Sequence, residues 1–347
     1  MKGRQIALDH IAGREAAALL EDGKLQDFII SPPPGTPSPG SIYRAICEQP
    51  LKGLGGIMMR SSDGPLFFRQ AKGLSPGQTL LVQVLGYSEP GKAPTVTPKL
   101  LFKSRYAIVT PSSPGLNISR QIKDDDRRDL LMVIAKSEME GCPYGLILRS
   151  SCLAGDDEAI AQDIANMRDL ALSVTESPET GGEDCLIPGD GPHLLAWREW
   201  IAPADVLTHP GSFEDAGVLD ALETLRSPRQ TLSGGGHMYV EPTRALVAVD
   251  VNTGADTSPA SALKANLAAA RALPRRLRLQ GLAGQITIDF APLSKKDRRQ
   301  VEQVLQSAFR EDPIETALVG WTPIGHFELQ RKRERVSFDA QLLDAAS

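Results

Sequence analysis

A chain of 347 residues has length for two domains, or for one elaborated domain with a buried core. Apolar and charged fractions of 41% and 23% are ordinary for a globular protein, and no apolar run approaches the roughly 18 residues of a membrane helix. The net charge of −5 does not advertise a nucleic-acid binder, yet over residues 271–299 eight Lys/Arg meet only Asp289 and Asp297, enough for a local basic face. A solvated helix face is the bland alternative for that run. Four cysteines without a C-x-x-C pair argue against a disulfide framework or zinc knuckle, and no signal-peptide block opens the sequence. The expectation is a reduced, cytoplasmic protein without membrane association.

In chain order, residues 4–8 and 26–30 read as strands, with a mixed stretch between them. Five prolines over residues 31–40 mark an extended loop. From there to about residue 98, short strands punctuated by Gly and Pro predict a small antiparallel barrel. Within it Phe67 and Phe68 are adjacent on one strand and so face opposite sides, one of them inward. A strand around residues 107–109 is followed by a helix over 127–139, a strand over 144–148 ending on Arg149-Ser150, and a helix over 154–175. Trp197 and Trp200 read as core aromatics. His193, His209 and His237 have no metal-ligand spacing and receive no role.

The most informative segment comes late. Residues 245–249 form an apolar run of strand length that ends on Asp250, followed by Val251, Asn252, Thr253 and Gly254. Residues 285–290 alternate so that Asp289 points away from the apolar face. A helical pattern over 260–273 between them makes a βαβ unit, with a kink or stop expected at Pro274. Two strands of one sheet, each delivering a carboxylate near its end, can share one Mg²⁺, which takes hard oxygen ligands and keeps several waters. The bland alternative is a pair of turn-capping aspartates. A second amphipathic helix is expected over 294–309.

This late segment resembles the catalytic core of the bacterial ribonuclease E/G family. The matching features are Gly234, Gly235 and Gly236, then Asp250-Val251-Asn252, Asn266-Leu267, and the R-x-L-R-L run over 275–279. They continue with residues 284–290 (Ala283 standing where the family has a first glycine) and the G-x-x-E-x-x-R-x-R run over 325–333. The match is close over residues 232–336 and thinner before them.

The resemblance implies a mixed-sheet α/β protein: an RNase-H-like, nuclease-type core carrying an inserted OB-fold barrel. The implied segments are 1–36 for the first part of the RNase-H-like domain, 37–98 for the barrel, 99–231 for its remainder with a 5′-phosphate pocket, and 232–347 for the catalytic subdomain. The implied activity is Mg²⁺-dependent endonucleolytic hydrolysis of single-stranded RNA, leaving a 5′-phosphate and a 3′-hydroxyl. Asp250 and Asp289 hold the metal in this reading, and Asn252 orients a ligand water or the phosphate. Arg149 and Ser150 match an Arg-Thr step that resembles the pocket for an RNA 5′-monophosphate, and an arginine fork suits a terminal phosphate. Arg120 of the I-S-R step, Phe67, Phe68 and Lys92 of the barrel, and Arg331 complete the expected RNA contacts.

Departures from the family pattern carry expectations of their own. Gly55-Gly56-Ile57-Met58 stands where the family places an aromatic, which weakens base stacking on the barrel. Residues 311–316 are acidic where the family often carries arginine, an expected loss to one side of the phosphate pocket. No C-P-x-C pair of the family's zinc-linking segment occurs, so neither zinc nor a zinc-linked dimer is expected. Two rival readings remain at this stage: a non-catalytic RNA-binding relative, and an unrelated Mg²⁺-dependent phosphoryl-transfer enzyme. The absence of a G-x-x-x-x-G-K loop disfavours nucleotide hydrolysis.

Overall fold

The computed structural model describes residues 3–51, 53, 55–70, 72–177, 182–339 and 341–344. The chain divides into two compact units, one of Met1–Pro32 with Pro203–Ser347 and one of Pro33–Ala202.

The first unit opens with three antiparallel strands, β1 (Arg4–Ile11), β2 (Arg14–Glu21) and β3 (Lys24–Ile30). The mixed stretch of the sequence is β2, whose Ala16, Ala17 and Ala18 are fully buried. Alanine and leucine favour helices locally, but a strand paired on both edges is decided by its neighbours.

The second unit begins with β4 (Ile42–Leu51), β5 (Gly56–Ser61), β6 (Gly64–Phe68), β7 (Thr79–Val84) and β8 (Thr95–Thr97). Their order β4-β5-β6-β8-β7 closes through β4–β7 pairing, with β6 and β8 parallel. This is the expected OB-like barrel. Tyr43, Ile57, Met59, Leu66, Phe68 and Val82 fill its interior. Beside it β9 (Phe102–Lys103), β10 (Ala107–Thr110), β11 (Leu116–Ile118) and β12 (Gly145–Leu148) form a mixed sheet. Helices α1 (Asp125–Glu138) and α2 (Asp157–Thr175) pack on that sheet through Leu131, Ala135, Ile160 and Ile164. Each helix starts on an aspartate cap, Asp124 and Asp156, whose carboxylate accepts a backbone N–H. Strand β13 (Asp184–Ile187) adds to β4, and α3 (Pro192–Glu199) follows.

Back in the first unit, β14 (Asp205–Leu207) pairs parallel with β1, and two short helices, α4 (Ser212–Asp215) and α5 (Val218–Glu223), pack beside it. A six-stranded sheet then forms from β15 (Arg229–Leu232), β16 (Gly236–Pro242), β17 (Val247–Asn252), β18 (Gly284–Asp289), β19 (Thr316–Trp321) and β20 (Phe327–Arg331), in the order β15-β16-β17-β18-β20-β19. Only β17 and β18 run parallel in it, joined by α6 (Pro259–Leu279) as the βαβ pattern required. Helix α7 (Lys295–Glu311) packs with α6 on one face of the sheet, burying Val249, Val251, Ile286, Ile288, Phe327 and Leu329.

Of the expected kink or stop at Pro274, the stop does not occur; α6 runs through it to Leu279. Beyond the proline, Leu277 and Leu279 are buried, and Arg275, Arg276 and Arg278 donate to the carbonyls of Leu25, Ser227 and Gln26. Packing of the second half outweighs the hydrogen bond that proline removes.

Candidate active site

The alternation that buries one face of the six-stranded sheet turns the other outward, and this outer face carries the polar residues. Asp250 of β17 and Asp289 of β18 are partners in the parallel register, so their backbones lie one strand spacing apart, about 4.8 Å. Both are exposed. Asn252 Nδ2 donates to Asp250 Oδ2 at 2.7 Å, fixing that carboxylate's rotation and leaving Oδ1 free of this bond. On β16, His237 is the register partner of Asn252 and Tyr239 that of Asp250, their rings edge to face at 5.4 Å.

Two further residues shape this end of the sheet. His326, just before β20, places Nε2 3.8 Å from Asp289 Oδ1. Asn266 of α6 is fully buried and grips the backbone two residues beyond Asp289: its Nδ2 donates to the Ala291 carbonyl at 2.9 Å and its Oδ1 accepts from the Ala291 N–H at 3.0 Å. Sequence reasoning gave His326 no role. Nothing in the sequence marks it, because its place beside a strand start antiparallel to β18 emerges only once the strands are paired. The period-two phase of His237 and Tyr239 in β16 marks them for the outer face.

Among the described residues, no cluster of three or more His, Cys, Asp or Glu side chains is placed to hold a metal. The Asp250–Asp289 pair has a different character: two exposed carboxylates side by side, with only oxygen donors. That donor set fits Mg²⁺, which takes one or two carboxylates and completes its shell with water and substrate phosphate.

The residues expected to contact RNA fall into three situations. Phe68 points into the barrel core, while Phe67 is half-buried, its ring laid over Gly56 so closely that a Cβ there would meet it at 2.4 Å. Gly56, within the stretch 55–58, is thus roofed by Phe67. Arg120 is exposed, and Lys92 is exposed and paired with Glu89 at 2.5 Å. Arg331 does not reach the surface. Its side chain is 0% exposed, paired with Asp312 at 2.9 Å and bonded to Thr316 Oγ1 at 2.8 Å. It faces the helices because it shares the alternation phase of Phe327 and Leu329. Asp312, part of the acidic run, is likewise buried between Arg278 and Arg331 and presents no charge to a ligand.

Arg149 is also committed within its own unit. It donates to the Ser104 carbonyl at 2.6 Å and to Glu199 Oε2 at 2.6 Å. Glu199 further meets Lys103 at 2.8 Å and Arg198 at 2.7 Å. Burial pushes the Glu199 carboxyl up, but Lys103, Arg149 and Arg198 outweigh it and hold the pKa at about 2. Ser150 is half-buried, at the start of a short 3-10 turn. Trp200 is core at 7% exposure, whereas Trp197 is 51% exposed, not buried as expected, and stacks under Arg105 at 5.0 Å.

The family model for the ribonuclease E/G family matches residues 102–200 and 203–334. The chain belongs to the ribonuclease E/G family. It is 25% identical to ribonuclease E of Nostoc sp. over 92% of its own length and 54% of that relative. It is 26% identical to ribonuclease E of Synechocystis sp., covering 92% of itself and 56% of the relative. Ribonuclease G of Salmonella typhimurium is 27% identical over 76% of the chain and 61% of the relative. The chain thus spans little more than half the length of these ribonuclease E/G relatives. No helix among the described residues is long and apolar enough to cross a membrane.

Proposed function

We propose that the chain is an endoribonuclease that hydrolyses phosphodiester bonds of single-stranded RNA with Mg²⁺. The observation that carries this reading is the in-register pair Asp250 and Asp289 at the ends of two parallel strands, with Asn252 bonded to Asp250. Membership of a family whose relatives are called ribonucleases supports RNA as the substrate class.

Asp250 and Asp289 would hold the ion, which when bound supplies Lewis acidity toward the scissile phosphate. Asn252 keeps Asp250 in a single orientation, so the donor set is arranged before substrate arrives. Asn266 does the same for the backbone after Asp289. The products in this reading are a 5′-phosphate and a 3′-hydroxyl. The four cysteines are free thiols, which suits the cytoplasm as the proposed setting. The deciding experiment incubates 5′-monophosphorylated single-stranded RNA with the protein in Mg²⁺ and in EDTA. Mg²⁺-dependent internal cuts are expected; RNA that is bound and left intact in Mg²⁺ would make the chain a non-catalytic relative.

Preference for a 5′-monophosphate is the finer part of the reading, and Glu199 changes its expected size. Arg149 already holds a carboxylate, so wild-type protein should cleave 5′-monophosphate and 5′-hydroxyl RNA at similar rates. Glu199→Ala removes the carboxylate that Lys103, Arg149 and Arg198 share, while Arg198 stays paired with Asp190 and Arg149 with the Ser104 carbonyl, and should create a preference of about tenfold for the phosphorylated end. A tenfold preference in wild type that Arg149→Ala removes would show that RNA displaces Glu199.

A further inference from the structure

A pair of carboxylates repels a polyanion until cations on the same rim offset it. The described arginines around α6 and β20 are occupied: Arg275, Arg276, Arg278 and Arg331 all donate to carbonyls or carboxylates. Arg298, in the first turn of α7, differs. Its guanidinium carbon lies 4.5 Å over the Trp321 ring, and among the described residues this stack is its one side-chain interaction.

The stack is tied to the active site through aromatic neighbours. Trp321 packs against Phe290 at 5.7 Å and Phe327 at 5.3 Å. Phe290 directly follows Asp289, and Phe327 directly follows His326. A Cβ at Gly325 would lie 3.2 Å from an Arg298 terminal nitrogen, so the guanidinium passes against the backbone beside His326, whose ring is 3.8 Å from Asp289. Gly325 has φ +101°, and a side chain there would be both strained and pressed on Arg298. Strand β20 starts at the sheet end where β18 finishes, so Arg298, His326 and Asp289 share one rim.

We propose that Arg298 contacts the two non-bridging oxygens of the RNA phosphodiester presented to Asp250 and Asp289. The inference rests on the ribonuclease reading for the reaction, and on geometry alone for the contact. Stacking on Trp321 immobilises the guanidinium in advance, so little freedom is lost when its planar fork meets two phosphate oxygens. Lys295, Lys296 and Arg299 on the same turn are exposed and extend the positive rim.

The test uses the full chain with a fluorescent single-stranded RNA, comparing wild type with Arg298→Ala, Arg298→Met and Arg298→Lys. Arg298→Met keeps the aliphatic contact with Trp321, so a folding defect confined to Arg298→Ala does not confuse the result. Binding is measured in EDTA across a salt series, and cleavage in Mg²⁺. Arg298→Met should flatten the slope of log affinity against log salt by about 0.7, the value of one lost phosphate contact on single strands. It should also lower kcat/KM about tenfold to a hundredfold. Arg298→Lys should restore the slope but not the full kcat/KM, because an ammonium lacks the two-oxygen fork. Asp250→Asn should lower cleavage on the order of a thousandfold with no flattening of the slope, which separates the two roles. Wild-type slope and rates in Arg298→Met overturn the proposal. If wild type binds RNA but never cuts it, the ribonuclease reading fails while the slope alone still decides Arg298. If wild type does not bind RNA, both fall.

Discussion

Asp250→Asn and Asp289→Asn are each expected to lower Mg²⁺-dependent RNA cleavage on the order of a thousandfold, since several kcal/mol of charge stabilisation depend on the carboxylate pair. Both side chains are exposed at strand ends, so thermal midpoints should barely move. Asparagine at 250 still accepts the Asn252 hydrogen bond, so the local geometry survives while the charge is lost. RNA affinity measured in EDTA should be unchanged or slightly higher, because each change removes a negative charge from the rim. Cleavage near the wild-type rate in either variant, at several Mg²⁺ concentrations, would remove the metal reading.

The largest loss of stability should come from Asp312→Ala. The Asp312 carboxylate is fully buried, pairs with Arg331 at 2.9 Å and with Arg278, and also accepts the Ile314 N–H at 2.9 Å. Asp27 extends the network to Arg278 at 3.5 Å and Arg335 at 3.3 Å. Truncating Asp312 leaves the buried Arg331 guanidinium without a counter-charge, a loss of about 3–5 kcal/mol. Urea unfolding followed by tryptophan fluorescence measures it. Asp312→Asn keeps the size and the bond to Ile314 and should lose less. A loss below about 1 kcal/mol for Asp312→Ala would mean that water reaches Arg331 when the acid is gone.

What local pattern can encode was legible in advance. The apolar runs before Asp250 and Asp289, the helical period between them and the Gly/Pro punctuation of the barrel each act over a few residues, and the elements they announced are present. Long-range pairing escaped. Arg149 and Glu199 are 50 residues apart, so a strand-end arginine looked free when it was not. Arg331 looked like a ligand contact because nothing in its neighbourhood of the sequence announces that Asp312 is folded against it. Pro274 was read by its own chemistry, while the helix was decided by Leu277, Leu279 and three anchored arginines beyond it. His326 carried no signal because proximity to Asp289 exists only once β18 and β20 are paired.

The parallel register of β17 and β18 has a consequence for how this site can fail. Ile288 and Asp289 are adjacent, and so are Val249 and Asp250, one of each pair facing the helices and the other facing outward. A slip of a single residue would drive a carboxylate into the apolar layer and expose an isoleucine or valine. The chain therefore has no inexpensive one-residue misalignment in which the sheet forms and the two acids stand apart. Spacing of the acids is guarded by oil and water, not by the acids themselves, and a population of properly folded molecules is a population of aligned ones.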